Sequence, residues 1–240
     1  MPVKTVSIPD MGTIHLYKRR GSRALRLSVT DQGKIRVSLP HWVPYQSAVD
    51  FAHSRKDWIR SQLNEPVALA HGDRIGKAHR IVFLPDAARI TVTTRIVGSE
   101  IRIHHPKELM ESDHSVQAAA QNASVRALKT QAEKLLPQRI EKLAAHHGFR
   151  YRSIRIKRLK SRWGSCSSDG EIVLNAFLMQ LHWHLIDYVL LHELMHTRIM
   201  AHGPTFWNEL ESYVPNLKAV RNEIKNHRPI LLAQKQPLRA

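Results

Sequence analysis

Residues 185–196 constrain the fold most: Leu185-Ile186-Asp187-Tyr188-Val189-Leu190-Leu191 run without Gly or Pro into His192-Glu193-Leu194-Met195-His196. Such a run forms one helix whose apolar stripe must be buried, so the chain has to build a core around it. The periodicity predicts that helix over 184–200. At 100° per residue, His192 and His196 lie about 40° apart on one helix face. Two neutral imidazoles spaced that way grip a single Zn²⁺, and Glu193 then stands beside the metal rather than on it. From there its carboxylate can take a proton from water in metal-assisted hydrolysis. The chain holds 16 histidines in 240 residues, so the five-residue pattern does not establish a site alone. The apolar run in front of it supplies the rigid support that ligands need. Asp187 either caps or orients this helix, or lies on its solvated face.

A tetrahedral catalytic zinc takes three protein ligands and leaves the fourth position to water. His202, six residues past His196, is the candidate third ligand, because Gly203-Pro204 end a helix and turn the chain back. Ile199 occupies the position where metzincins need Gly for a sharp turn, which disfavours that class. Glu209 and Glu211 on the following helix are the alternative third ligands.

Composition bounds the rest. With 42% hydrophobic residues the chain can bury a core. Its one cysteine, Cys166, excludes an intramolecular disulfide framework and suits a reducing compartment. Residues 1–17 alternate polar and apolar, with no apolar leader, and no stretch has the length of a membrane span. The expectation is therefore a cytoplasmic protein without a membrane partner. The formal charge of +17 attracts polyanions, so nucleic acid is an expected partner through a basic surface. Charge alone names no partner, and a solvated basic face reads the same way.

Residues 1–110 are expected to be mainly β. Strands are predicted at 15–18, 24–30 and 34–39, the last two joined by a hairpin turn at Asp31-Gln32-Gly33. Pro44 opens a helix over 45–63, ended by Asn64-Glu65-Pro66. Further strands are predicted at 80–84, 88–96 and 100–104, with Gly98-Ser99 as a tight turn. Residues 115–147 carry a long helical pattern, which Pro137 should kink or restart and Gly148 should close. A strand with one basic face follows at 152–159. The pattern continues with a turn or strand at 162–166, a turn at 167–170 and a strand at 171–175. Helices start again at Phe206-Trp207 and near Pro215. The expected organisation is an N-terminal mainly β region over 1–110, a catalytic domain over 111–228 and a flexible tail over 229–240.

Five separated elements occur here in order: Arg162-Trp163-Gly164-Ser165-Cys166, Ile172 to Asn175, Ile186-Asp187-Tyr188-Val189 running into the histidine motif, His202, and Phe206-Trp207. Together they resemble the YgjP-like metallopeptidases, a family related to SprT-like and WLM-type zinc proteases. Lys18-Arg19-Arg20 and Gly72-Asp73-Arg74-Ile75 extend the likeness over nearly the whole chain. The resemblance implies an α+β fold with a zincin-like, gluzincin-type core. It also implies His192, His196 and His202 as zinc ligands, with Glu193 as general base. Ala201-His202-Gly203 stands where the family commonly has Asn-His-Ser, a departure that bears on the local turn and not on the ligand. The implied activity is hydrolysis of protein or peptide bonds by metal-activated water. Arg162, Trp163 and Tyr213 are candidate substrate-contacting residues. Trp163 reads equally as core, Tyr213 as a packing residue, and Cys166 as a small buried residue. The competing reading is a basic, nucleic-acid-associated protein with a structural or regulatory zinc site.

Overall fold

Alternation along residues 12–19 turns Ile14 and Leu16 to one side and Thr13, His15 and Tyr17 to the other, which is how a half-buried strand forms. In the computed structural model, which describes residues 3–8, 12–30, 34–56, 59 and 68–231, this strand is β2 (Gly12–Arg19). It pairs antiparallel with β1 (Val3–Ile8) and parallel with β4 (Ile35–Pro40), whose other edge takes β3 (Arg26–Val29) antiparallel. The sheet order is β1-β2-β4-β3. Helix α1 (Tyr45–Ser54), preceded by Pro44, lays Ala48 and Ala52 on Ile14, Leu16, Ile35 and Val37 in one core. These elements belong to a first compact unit, Met1–Pro66; Val67–Ala240 form a second. The expected turn at Asp31-Gln32-Gly33 and the helix end at Asn64-Glu65-Pro66 lie outside the described residues, as does most of the tail.

The second unit is organised by α2 (His114–His147), a 34-residue helix. Its buried face is mostly small: Ala120, Ala123, Ala127 and Ala132 alternate with Val116, Leu128, Leu136 and Ile140. Small residues let the strands approach closely. The sheet β5-β6-β8-β7 (Arg74–Ile75, His79–Asp86, Glu100–Pro106, Thr93–Val97) packs there, with β6 and β8 parallel. Two buried glutamines fix the approach. Gln117 donates to Leu69 O and accepts from Leu69 N, both at 2.8 Å. Gln131 accepts from Lys77 N at 2.7 Å and donates to Ile75 O. Its carboxamide lies so near Gly76 that a Cβ there would meet Oε1 at 2.6 Å.

Of the kink or restart expected at Pro137, the restart does not occur: the helix runs on through it. Proline removes one N–H, and burial of Leu136, Ile140 and Ala144 on the core outweighs that local loss. Gly148 closes the helix at φ 68. The expected strand at 88–96 shrinks to Thr93–Val97, because Asp86 accepts from Ala88 N and holds Arg89 in a turn.

A three-stranded sheet, β10-β11-β9 (Gly164–Cys166, Glu171–Asn175, Ser153–Lys157), carries β10 on its edge. A 3-10 turn (Ala176–Gln180) leads into α3 (Trp183–Met195), then α4 (Pro204–Glu211) and α5 (Leu217–Ile224). The described residues thus form a mixed α+β fold of three sheets and five α-helices. No helix among them is long and apolar enough to cross a membrane. Asp187 is not solvated on its own: it forms a two-pronged ion pair with Arg139 of α2, at 2.7 and 2.5 Å.

Asn175, fully buried, ends β11. Its Nδ2 donates to Leu159 O and Arg162 O, both at 2.8 Å, and its Oδ1 accepts from Phe177 N. Asn175→Ala strands these groups, so the expected cost is about 3 kcal/mol in urea unfolding. A loss below about 0.5 kcal/mol would show that this side chain does not hold the loop.

Candidate metal centre

Helix α3 is buried along most of its length, with Leu185, Ile186, Leu190, Leu194 and Met195 wholly enclosed. It ends at Met195, five residues short of the expected limit, with His196 as its cap residue. Tight turn bonds replace the helical ladder there: Thr197 N and Oγ1 donate to Leu194 O, and Arg198 N donates to Met195 O. The early stop lets the chain reverse within a few residues and return His202 to the helix. Gly203 then caps α4, with Pro204 in its first turn.

The result is that ring nitrogens of His192, His196 and His202 lie within 4.8 Å of one another. His192 Nε2 and His202 Nε2 are 3.0 Å apart, and the two rings stack at 25°. All three imidazoles rest on Phe206 of α4, with ring centroids at 5.0, 4.8 and 4.7 Å. Phe206 is itself fully buried. Trp207 stacks on His202 and donates from Nε1 to His202 O at 3.1 Å. Arg221 lies over that indole as well, 3.6 Å from a ring centroid.

The donor set fits a divalent cation. Burial first, then the neighbouring histidines and Arg221, hold His192 down to about 3, and burial also lowers His196. Both rings are therefore neutral, as metal binding requires. His196 Nδ1 donates to Ile199 O at 3.2 Å, which fixes the tautomer and leaves the Nε2 lone pair for a ligand. Three imidazole nitrogens suit a borderline-soft metal.

Glu193, next to His192 on the helix, is enclosed by protein. It is 4% exposed, and burial pushes its carboxyl up to about 8, opposed by the Arg162 charge. Its neighbour is Gly164 at the start of β10, where a Cβ would meet Glu193 Oε1 at 2.6 Å and Cγ at 2.8 Å. Gly164 and Phe206 are site residues that motif spacing did not single out. The glycine inside the Arg-Trp-Gly-Ser-Cys element was the available signal.

Arg162 is exposed, while Trp163 is half-buried against the core and its carbonyl accepts from Asn175 N. The hydroxyl of Tyr213 accepts from Arg198 Nη1 at 3.0 Å, and its ring packs on His147 and Phe149. Glu209 faces Arg198 as well, at 3.4 Å. Among the described residues, the one group placed to hold a metal consists of the three histidines, without Glu209 or Glu211.

The model of the YgjP-like family, metallopeptidase domain, matches residues 23–227. No curated protein matches the chain. Among solved structures, the chain is similar to the metallopeptidase zymogen of Pyrococcus abyssi abylysin, at 25% identity over 42% of this chain and 92% of that one, with a TM-score of 0.33. It is also similar to the metallopeptidase zymogen of Methanocaldococcus jannaschii jannalysin, at 25% identity over 39% and 96%, with a TM-score of 0.35.

Cys166, at the end of β10, has its thiol pushed up to about 11 by burial, then by the charges of Glu193 and Asp169. At pH 8 its thiolate fraction is roughly 100-fold below that of an ordinary cysteine, so iodoacetamide labelling should be slower by a similar factor. The rate should rise until the pH passes about 11. Labelling at the rate of a free thiol at pH 8 would contradict this environment.

Proposed function

Because the chain belongs to the YgjP-like metallopeptidase family, we propose that it is a zinc-dependent peptidase hydrolysing protein or peptide bonds, with Glu193 as general base. The observation that carries this reading is the convergence of His192, His196 and His202 beside a buried carboxylate. The three histidines would hold the ion through ring nitrogens, and we assign the site to a zincin-like core of the gluzincin or SprT-like type. When bound, zinc acidifies a water and polarises the scissile carbonyl.

Glu193 takes the proton of the attacking water on a carboxylate oxygen and passes it to the leaving amine nitrogen. Gly164 keeps the space that this carboxylate occupies. Strand β10 lies on its sheet edge, so an extended peptide can pair with its main chain. Arg162 offers a charge at that edge, and Trp163 a wall. We assign Tyr213 to the substrate side as well, which requires it to exchange its bond with Arg198.

We assign the catalytic domain to 111–228, after a mainly β region over 1–110 and before a flexible tail over 229–240. The catalytic segment lies wholly within the second compact unit. A cytoplasmic location accords with the single cysteine and the lack of a membrane-length helix among the described residues. The family favours catalysis over the competing reading, a nucleic-acid-associated protein with a structural or regulatory zinc.

Glu193→Gln should keep its zinc by elemental analysis and lose about 10³-fold in kcat on casein or a fluorogenic peptide. Full activity in that variant would end the proposed mechanism. His202→Ala should weaken zinc binding by at least about 100-fold in a chelator competition, and unchanged affinity would remove it from the ligand set. Gly164→Ala should retain zinc and lower kcat by roughly tenfold, since Glu193 must shift from the added methyl group. Unaltered kcat would show that the close approach is irrelevant to the reaction.

A further inference from the structure

The N-terminal unit has a sheet face that the peptidase reading does not use. Helix α1 and the apolar side chains cover one side of β1-β2-β4-β3. Strand register fixes what the opposite side presents. One row across the sheet runs Arg26, Ser38, Tyr17; the next runs Ser28, Arg36, His15. Every one of these six is exposed or half-exposed, and none is acidic. Arg36 lies over the Tyr17 ring at 4.5 Å, so the middle of the face is a guanidinium plane backed by an aromatic ring. At the Ser38 end, the chain between β2 and β3 wraps a cavity of about 430 Å³ lined by Arg19, Arg20, Arg23 and Arg26. Trp42, 60% exposed, follows two residues after Pro40, the partner of Arg19.

Charge on the described residues of this unit is one-sided. Among its described residues the only carboxylate is Asp50, on α1, where it accepts from Gln46 Nε2 at 3.0 Å. Among the described residues no ion pair engages the four arginines of the cavity. Guanidinium forks match phosphate oxygens two at a time. Flat aromatic and guanidinium surfaces meet the faces of bases only when those bases are unpaired. A sheet face also lacks the projecting helix with which proteins commonly enter a duplex groove.

We propose that this face and its arginine cavity bind single-stranded nucleic acid, with phosphates in the cavity and bases over the Arg36–Tyr17 pair and Trp42. The site lies in the first compact unit, so it stands independently of the metal centre.

The test uses the full chain, stripped of metal with EDTA, in fluorescence anisotropy with labelled dT20 and rU20 across a KCl series. Binding should weaken with salt at a slope near −0.7 for each phosphate engaged. Arg23→Glu with Arg26→Glu should weaken binding at least tenfold and flatten the slope by about 1.4, two contacts' worth. Lys107→Glu with Lys142→Glu, an equal charge change in the second unit, should shift binding less than threefold. Tyr17→Ala with Trp42→Ala should cost roughly fivefold or more and leave the slope unchanged. A 20-base-pair duplex should bind at least tenfold more weakly than dT20. Four results would overturn the proposal: no binding of dT20 or rU20, equal effects of the two charge-reversal pairs, duplex binding as tight as single strand, or poly-glutamate of matched charge competing as well as dT20. The last would point to an acidic protein partner.

Discussion

Burial of α3 is the constraint on which the second unit depends. This helix packs on α2, β10, α4 and α5, and its apolar residues fill the space among them. A helix enclosed in that way can hold two imidazoles and a carboxylate in fixed rotamers, because each side chain has neighbours on several sides. The cost is polar. Glu193 and His192 lose water, and the unit accepts their shifted protonation because the surrounding apolar contacts outweigh it.

Backbone-like side chains do comparable work elsewhere. Gln117, Gln131 and Asn175 each satisfy main-chain groups of a segment distant in sequence. They join the stretches at 69–77 and 159–163 to α2 and β11. The loop in front of β10 thereby has a fixed course, and Gly164 can stand against Glu193 without an intervening side chain.

The clearest parts of the sequence were those where local pattern and burial agree. The apolar run before His192 announced α3, and Gly203-Pro204 announced the reversal after it. Alternation at 35–40 and 171–175 marked strands that are buried on one side. Other features depend on distant partners and leave no local trace. Nothing near Asp187 indicates Arg139, 48 residues earlier, and nothing near Phe206 indicates that it supports three imidazoles. Pro137 belongs with them: local chemistry allows the helix to restart there, and it runs on because its distant partners hold it. The early end of α3 rests on turn bonds within 194–199, which hydrophobic periodicity cannot register.

Phe206 gives the metal centre a further property. Its ring belongs to the apolar interior and is also the floor under His192, His196 and His202. One residue therefore meets two requirements, one for the volume it fills and one for the angles at which three imidazoles meet. Leucine would come closer to the first requirement than to the second. An apolar replacement that filled the same volume would still change the surface on which the three imidazoles lie, so a position that looks purely architectural carries a chemical requirement.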